Sequence, residues 1–245
     1  MLEISLFQKC VFEFLGTLVL VLLGDGVCCA CTLNKSKAQG AGWVVITLAW
    51  GFAVMCGVLI AGPYSGAHLN PAVTLGLALA GKFPWYAVCG YIVAQMLGGF
   101  CGAVLVYAFY VDHFAASSDN PDGMLGCFCT MPAIEHKTVN FFSEMVATFV
   151  LVFLILCLGT EGNANAGMGS LGAFPVTCVI MSLGMSLGAT TGYAMNPARD
   201  LSPRLAHAIL PIRGKRDSGW GYSWVPVLGP LTGGAVAACL FLLVF

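Results

Sequence analysis

Two copies of the string Asn-Pro-Ala, at Asn70-Pro71-Ala72 and Asn196-Pro197-Ala198, lie in strongly apolar sequence. Each has a glycine four residues before its asparagine, Gly66 and Gly192. Asparagine is a good N-cap and proline suits the first helical position, so each string marks the start of a helix. A helix start presents unpaired N–H groups and the positive end of the peptide dipole. Two such ends, each flanked by apolar sequence, lie inside a membrane and read as parts of a pore. Arg199 follows the second string, and a lone charge in such sequence is costly unless it faces a polar path. Asp200 and Arg204 come next, spaced i,i+4 with the acid first, which favours an ion pair, while the acid complements the helix dipole. Glu13 and Glu144 each precede a threonine by four residues, Thr17 and Thr148. Their matched, solitary occurrence fits buried acceptors for loop N–H groups; the competing chemistry is proton carriage.

Long apolar elements must position these residues. Six segments, 10–31, 43–61, 85–110, 140–158, 171–188 and 224–245, approach the roughly 20 residues that cross a hydrocarbon core. Two more, 70–80 and 196–210, are too short to span and read as half-helices. The irregular backbone leading into them is tolerable only if packed in protein or lining a wet cavity. Three crossings per half is an odd number, so the second half runs inverted and the two half-helices enter from opposite faces. Broken hydrophobic segments at matching places in two halves point to a transport site near the bilayer midplane. The predicted fold class is an all-α membrane protein: six transmembrane helices plus two re-entrant half-helices in an inverted repeat. It forms one channel domain, with a first repeat at 1–110, a connecting loop at 111–138 and a second repeat at 139–245. Gly98-x-x-x-Gly102 and Gly184-x-x-x-Gly188 are expected at close helix contacts, where small residues let backbones approach. Trp85, Trp220 and Trp224 fall near span ends and read as interface anchors.

Composition narrows the function classes. Of the 245 residues, 59% are hydrophobic and 9% charged, and the mean hydropathy is +0.90, too apolar for an ordinary soluble domain. Ten basic and 11 acidic residues nearly cancel, so no nucleic-acid partner is expected. The first apolar run carries Glu13 and continues into the repeat, which makes it a spanning helix and not a targeting segment. Most of the 12 cysteines sit in apolar runs as small hydrophobes; Cys127 and Cys129 lie in the connecting loop without a partner set of zinc spacing. No cofactor and no metal are expected. His113, His136 and His207 carry no signal separable from loop chemistry.

The two motifs Gly-Ala-His-Leu-Asn-Pro-Ala-Val-Thr (66–74) and Gly-Tyr-Ala-Met-Asn-Pro-Ala-Arg-Asp (192–200), with the repeated Glu-x-x-x-Thr, resemble the major intrinsic protein family of aquaporins and glycerol facilitators. The resemblance covers essentially the whole chain. Asp200 directly after the second Asn-Pro-Ala-Arg, Arg204 and Pro226-Val227 are similar to the aquaglyceroporin branch. The stretches 112–117 and 204–211 further resemble Gram-positive bacterial facilitators, some of which pass undissociated lactic acid. The resemblance implies a passive pore for glycerol, water and other small neutral solutes such as dihydroxyacetone, urea and hydrogen peroxide. It also implies a homotetramer in the cell membrane with cytoplasmic termini. The loop charges oppose that orientation, because only Lys9 and Lys82 would then lie inside, against Lys35, Lys37, Lys137, Arg213, Lys215 and Arg216 outside.

By alignment to the family, the narrowest region falls to Trp50, Gly184, Tyr193 and Arg199. Pore diameter, lining donors and an electrostatic barrier set selectivity in such pores. Asn70 and Asn196 would aim amides into the lumen, Trp50 and Tyr193 would form an apolar corner, and Arg199 would donate to hydroxyls. Gly184 is expected to leave open the space that a histidine fills in strict water channels. His68 is expected at the inner vestibule or as a loop support. The competing reading is a proton-coupled transporter of a small organic acid, with Glu13 or Glu144 as its coupling site. An intramembrane enzyme would need a nucleophile, base or metal cluster, and the spans contain none.

Overall fold

The computed structural model describes residues 4–166 and 168–245, and every regular element among them is helical. In chain order these are α1 (Leu6–Thr32), α2 (Trp43–Ser65), α3 (Pro71–Leu79), α4 (Trp85–Phe109), α5 (Val111–Ala116), α6 (Pro121–Gly126), α7 (Lys137–Leu158), α8 (Glu161–Asn165), α9 (Phe174–Leu187), α10 (Pro197–Ile209) and α11 (Val225–Val244). Helices α1, α2, α4, α7 and α11 are long and apolar enough to cross a bilayer. With α9 they make the six crossings, and α3 and α10 are the half-helices.

Helix α9, at 14 residues, is shorter than the 171–188 segment expected for it. The chain before it is wound as a 3-10 turn, Met168–Leu171, and Gly172 then takes a left-handed φ of 58° that no continuous helix accommodates. Pro175 lies in the first turn of α9, where its missing N–H costs no helical hydrogen bond. The connecting region 111–138 is likewise more ordered than a loop. It holds α5 and α6, the latter started by Asn120 and Pro121, and it buries Cys127, Phe128 and Cys129 completely or nearly so. Both of these cysteines are free thiols.

One close helix contact recurs in both halves. Helix α4 lies on α1, and α11 lies on α7. A methyl group built on Gly98 would sit 2.3 Å from the Phe14 carbonyl oxygen, and one on Gly102 2.6 Å from that of Leu18. Gly229 and Gly233, a pair with the same spacing, do this on α11; a methyl on Gly233 would meet the Met145 carbonyl oxygen at 2.2 Å. Such contacts replace the hydrophobic drive that helices lack in lipid. Each half-helix then packs on the last long helix of the opposite half, α3 on α11 and α10 on α4. Glycine permits this too: a methyl on Gly234 would lie 2.7 Å from the Ala72 carbonyl oxygen, and one on Gly99 2.8 Å from that of Ala198. At the far end of α10, the Lys215 ammonium donates to the carbonyls of His207, Ala208 and Leu210 at 2.7–2.8 Å, a cation on the negative end of the helix.

Candidate functional site

The two Asn-Pro-Ala strings meet at the centre of the molecule. Asn70 Oδ1 caps α3 by accepting from the Ala72 N–H at 2.8 Å; Asn196 Oδ1 caps α10 by accepting from the N–H groups of Ala198 and Arg199 at 3.0 and 3.2 Å. Each side-chain amide reaches across to the other loop. Asn70 Nδ2 donates to the Met195 carbonyl and Asn196 Nδ2 to the Leu69 carbonyl, both at 2.8 Å. One amide hydrogen on each is thereby taken, and the second has no protein acceptor among the described residues. Both asparagines line a cavity of about 160 Å³.

The loops entering these helices are strained in the same pattern. Gly66, Ala67 and Leu69 have positive φ, and so do Gly192, Tyr193 and Met195. For residues with a Cβ this costs of order 1–3 kcal/mol each and persists only when the surroundings enforce it. The buried carboxylates do so. Glu13 accepts from Ser65 Oγ and the His68 N–H on one oxygen, and from the Leu69 N–H and Gln95 Nε2 on the other, at 2.7–2.9 Å. Glu144 accepts from Thr191 Oγ1 and the N–H groups of Ala194 and Met195 at 2.7–3.0 Å. His68 lies in the first loop, with Nδ1 3.1 Å from Thr74 Oγ1 and its ring beside Phe83 and Tyr91, at one end of the cavity.

At the other end a second cavity, about 320 Å³, opens toward α6 and residues 129–131. Trp50, Tyr193 and Arg199 line both cavities, so these three side chains form the neck between them. The Arg199 guanidinium lies over the Trp50 ring at 4.0 Å, within cation–π range. Gly24 makes room for that indole: a methyl there would fall 2.2 Å from Trp50.

Gly184 departs from the expectation of open space. It lines neither cavity, because the Tyr193 ring occupies the place beside it. A methyl on Gly184 would meet Tyr193 Cζ at 2.8 Å and Thr47 Cγ2 at 2.9 Å, and one on Gly188 would meet Tyr193 Cδ1 at 2.4 Å. The Gly184-x-x-x-Gly188 pair therefore seats an aromatic ring, with Trp43 edge-on at 5.7 Å, more than it joins two helices.

The two arginines of α10 are used differently. Arg204 is fully engaged: Nε and Nη2 donate to Asp200 Oδ1 at 2.9 and 2.8 Å, and the remaining donors reach carbonyls of Thr130, Ser218 and Gly219. Asp200 Oδ2 accepts from the N–H and Oγ1 of Thr130 at 2.8 and 2.7 Å. The pair pins the loops at Thr130 and at Ser218–Gly219 to the half-helix. Arg199 uses only Nη1, toward Asp25 Oδ1 and the Phe128 carbonyl, both at 3.4 Å. Its Nε and Nη2 edge has no protein acceptor among the described residues.

Asp25 is the site residue that sequence reasoning missed. It is wholly buried in α1 and paired with Arg199, and its second oxygen has no partner among the described residues. An ionisable residue inside an apolar run, between Gly24 and Gly26, was the signal available for it. The three remaining histidines serve loops and caps: His113 Nδ1 lies 3.1 Å from the Asn34 carbonyl oxygen, His136 caps α7, and His207 Nδ1 lies 2.8 Å from Ser218 Oγ.

Comparison with known proteins agrees with this geometry. The chain is 55% identical over 229 residues to glycerol uptake facilitator protein 3 of Lactiplantibacillus plantarum, covering 94% of this chain and 93% of that one. It is 52% identical over 229 residues to a probable glycerol uptake facilitator protein of Thermotoga maritima, covering 94% and 96%. The aquaglyceroporin structure from Plasmodium falciparum superposes with a TM-score of 0.84 at 32% identity, covering 97% of this chain and 96% of that one. The family model described as major intrinsic protein matches residues 1–241, and the chain belongs to that family.

Proposed function

We propose that this protein is a passive membrane channel for glycerol, water and similarly small neutral solutes, dihydroxyacetone, urea, hydrogen peroxide and undissociated lactic acid among them. The observation that carries the reading is the neck: Trp50, Tyr193 and Arg199 border both cavities, so a solute passing between them meets two aromatic faces and a guanidinium edge with unused donors. The cavity beyond is two-faced. Aliphatic side chains such as Val54, Leu151, Val176 and Ile180 form one wall, and the two strained loops with Asn70 and Asn196 form the other. A polyol suits that division, its CH groups against the aliphatic wall and its hydroxyls against amides and guanidinium. Each asparagine holds a passing oxygen as acceptor, which turns the solute's own donors away and breaks a proton wire, while the half-helix dipoles repel cations.

Glu13 and Glu144 are, in this reading, structural acceptors: their oxygens are committed to loop donors that fix the half-helices. His68 supports the first of these loops, and the Asp200–Arg204 pair ties Thr130, Ser218 and Gly219 to α10. The working form is a homotetramer in the cell membrane with cytoplasmic termini, as the family resemblance implies. Reconstituted into liposomes, the protein should raise glycerol and water permeability down their gradients, with glycerol flux unaffected by an imposed pH gradient. Uphill solute accumulation driven by that gradient would favour the proton-coupled transporter instead.

A further inference from the structure

We propose that Asp25 is a specificity-determining residue: it cancels the charge of Arg199 at the neck, so that the guanidinium edge binds neutral hydroxyls without trapping anions. The inference rests on the reading of Arg199 as a pore-lining donor. Its first support is the ion pair itself, Arg199 Nη1 to Asp25 Oδ1 at 3.4 Å with both side chains almost entirely buried. Its second is the way the donors are divided. Nη1 is turned back to Asp25 and Phe128, and the parallel Nε–H and Nη2–H are left for the lumen. That pair of donors fits two adjacent hydroxyl oxygens, and it fits a planar oxyanion equally well. Geometry alone cannot separate the two ligands at such a fork; net charge can. Asp25 thus faces Arg199 as Asp200 faces Arg204, so each arginine of α10 has a carboxylate partner of its own.

Removing only the acid's charge should convert the neck into an anion trap. The Asp25→Asn variant keeps an oxygen that can accept from Nη1 but leaves Arg199 uncompensated where screening is weak. Nitrate, a small planar oxyanion, is the probe. Glycerol flux is measured by stopped-flow light scattering in proteoliposomes with sodium nitrate replacing an uncharged osmolyte, up to about 100 mM. Wild-type flux should be unchanged by nitrate. Asp25→Asn should be blocked, with an inhibition constant at least about tenfold lower than any seen in wild type, the shift expected from uncovering one nearby charge. Asp25→Asn combined with Arg199→Gln should lose the block, which a role confined to packing would not produce. Should Asn fail to insert, Asp25→Ser carries the same comparison.

Equal nitrate sensitivity in wild type and Asp25→Asn overturns the proposal. So does nitrate block of wild type, an outcome that needs no variant. Failure of glycerol flux itself, in wild type without nitrate, would instead sink the channel reading. The two failures are therefore distinguishable.

Discussion

The hydrogen that stands for a side chain at Gly184 decides where the Tyr193 ring can rest. Because a methyl there would meet Tyr193 Cζ at 2.8 Å, Gly184→Ala must push the ring toward the lumen. We expect glycerol flux to fall several-fold more than water flux in stopped-flow assays at equal protein loading, and Gly184→His to fall further. An unchanged glycerol-to-water ratio would detach Gly184 from the neck. Arg199→Ala leaves Asp25 without its cation at the same narrow place, so a cation or proton leak should appear in vesicles loaded with a pH-sensitive dye. At this scale the sequence was partly legible. Asn70, Asn196, Arg199 and Glu13 stand out by type and setting. The service of Gly184 to Tyr193, and of Gly24 to Trp50, depends on which side chain arrives from another helix, and spacing along the chain does not encode that.

Among the elements, the loop-plus-half-helix units depend on their carboxylates. Glu144→Gln replaces an acceptor with a donor facing loop donors, stranding at least one N–H and costing about 1–3 kcal/mol. Glu13→Gln should behave alike. Both should lower the melting temperature in detergent and reduce glycerol flux, and neither should uncouple any pH-driven uptake. Asp200→Ala should be more damaging. It leaves the buried Arg204 fork without its carboxylate, a loss of about 3–5 kcal/mol; a melting temperature equal to wild type would refute its pinning role. Element existence was readable because long apolar runs and Asn-Pro starts are local signals. The helices inside 111–138 were not, since six-residue helices leave no periodicity to find; α9 was found within 171–188, and only its start was hidden by the glycine-broken turn before it.

For the whole molecule, the neutral character of the neck governs which form of a weak acid can cross. A carboxylate would lose several kcal/mol of hydration in the partly apolar constriction. With Asp25 beside Arg199 there is no net positive charge to offset that loss. Lactate uptake into proteoliposomes should therefore fall as pH rises above the acid's pKa, and no lactate current should be measurable. A pH-independent flux would reject this.

The exchange of half-helices between halves has a further consequence, for biogenesis. Helix α3 is synthesised early, yet most of the surface it packs on belongs to α11, the last helix made. Glu13 and Gln95 can hold the loop before α3 at once, but until α11 inserts the nine residues of α3 lack their main packing surface, so the first half must wait in the bilayer as an incomplete intermediate. A chain cut within 111–136 should accordingly be inactive as either fragment alone. Co-expressed, the fragments should recover glycerol flux, because the surfaces that each lacks are carried whole by the other.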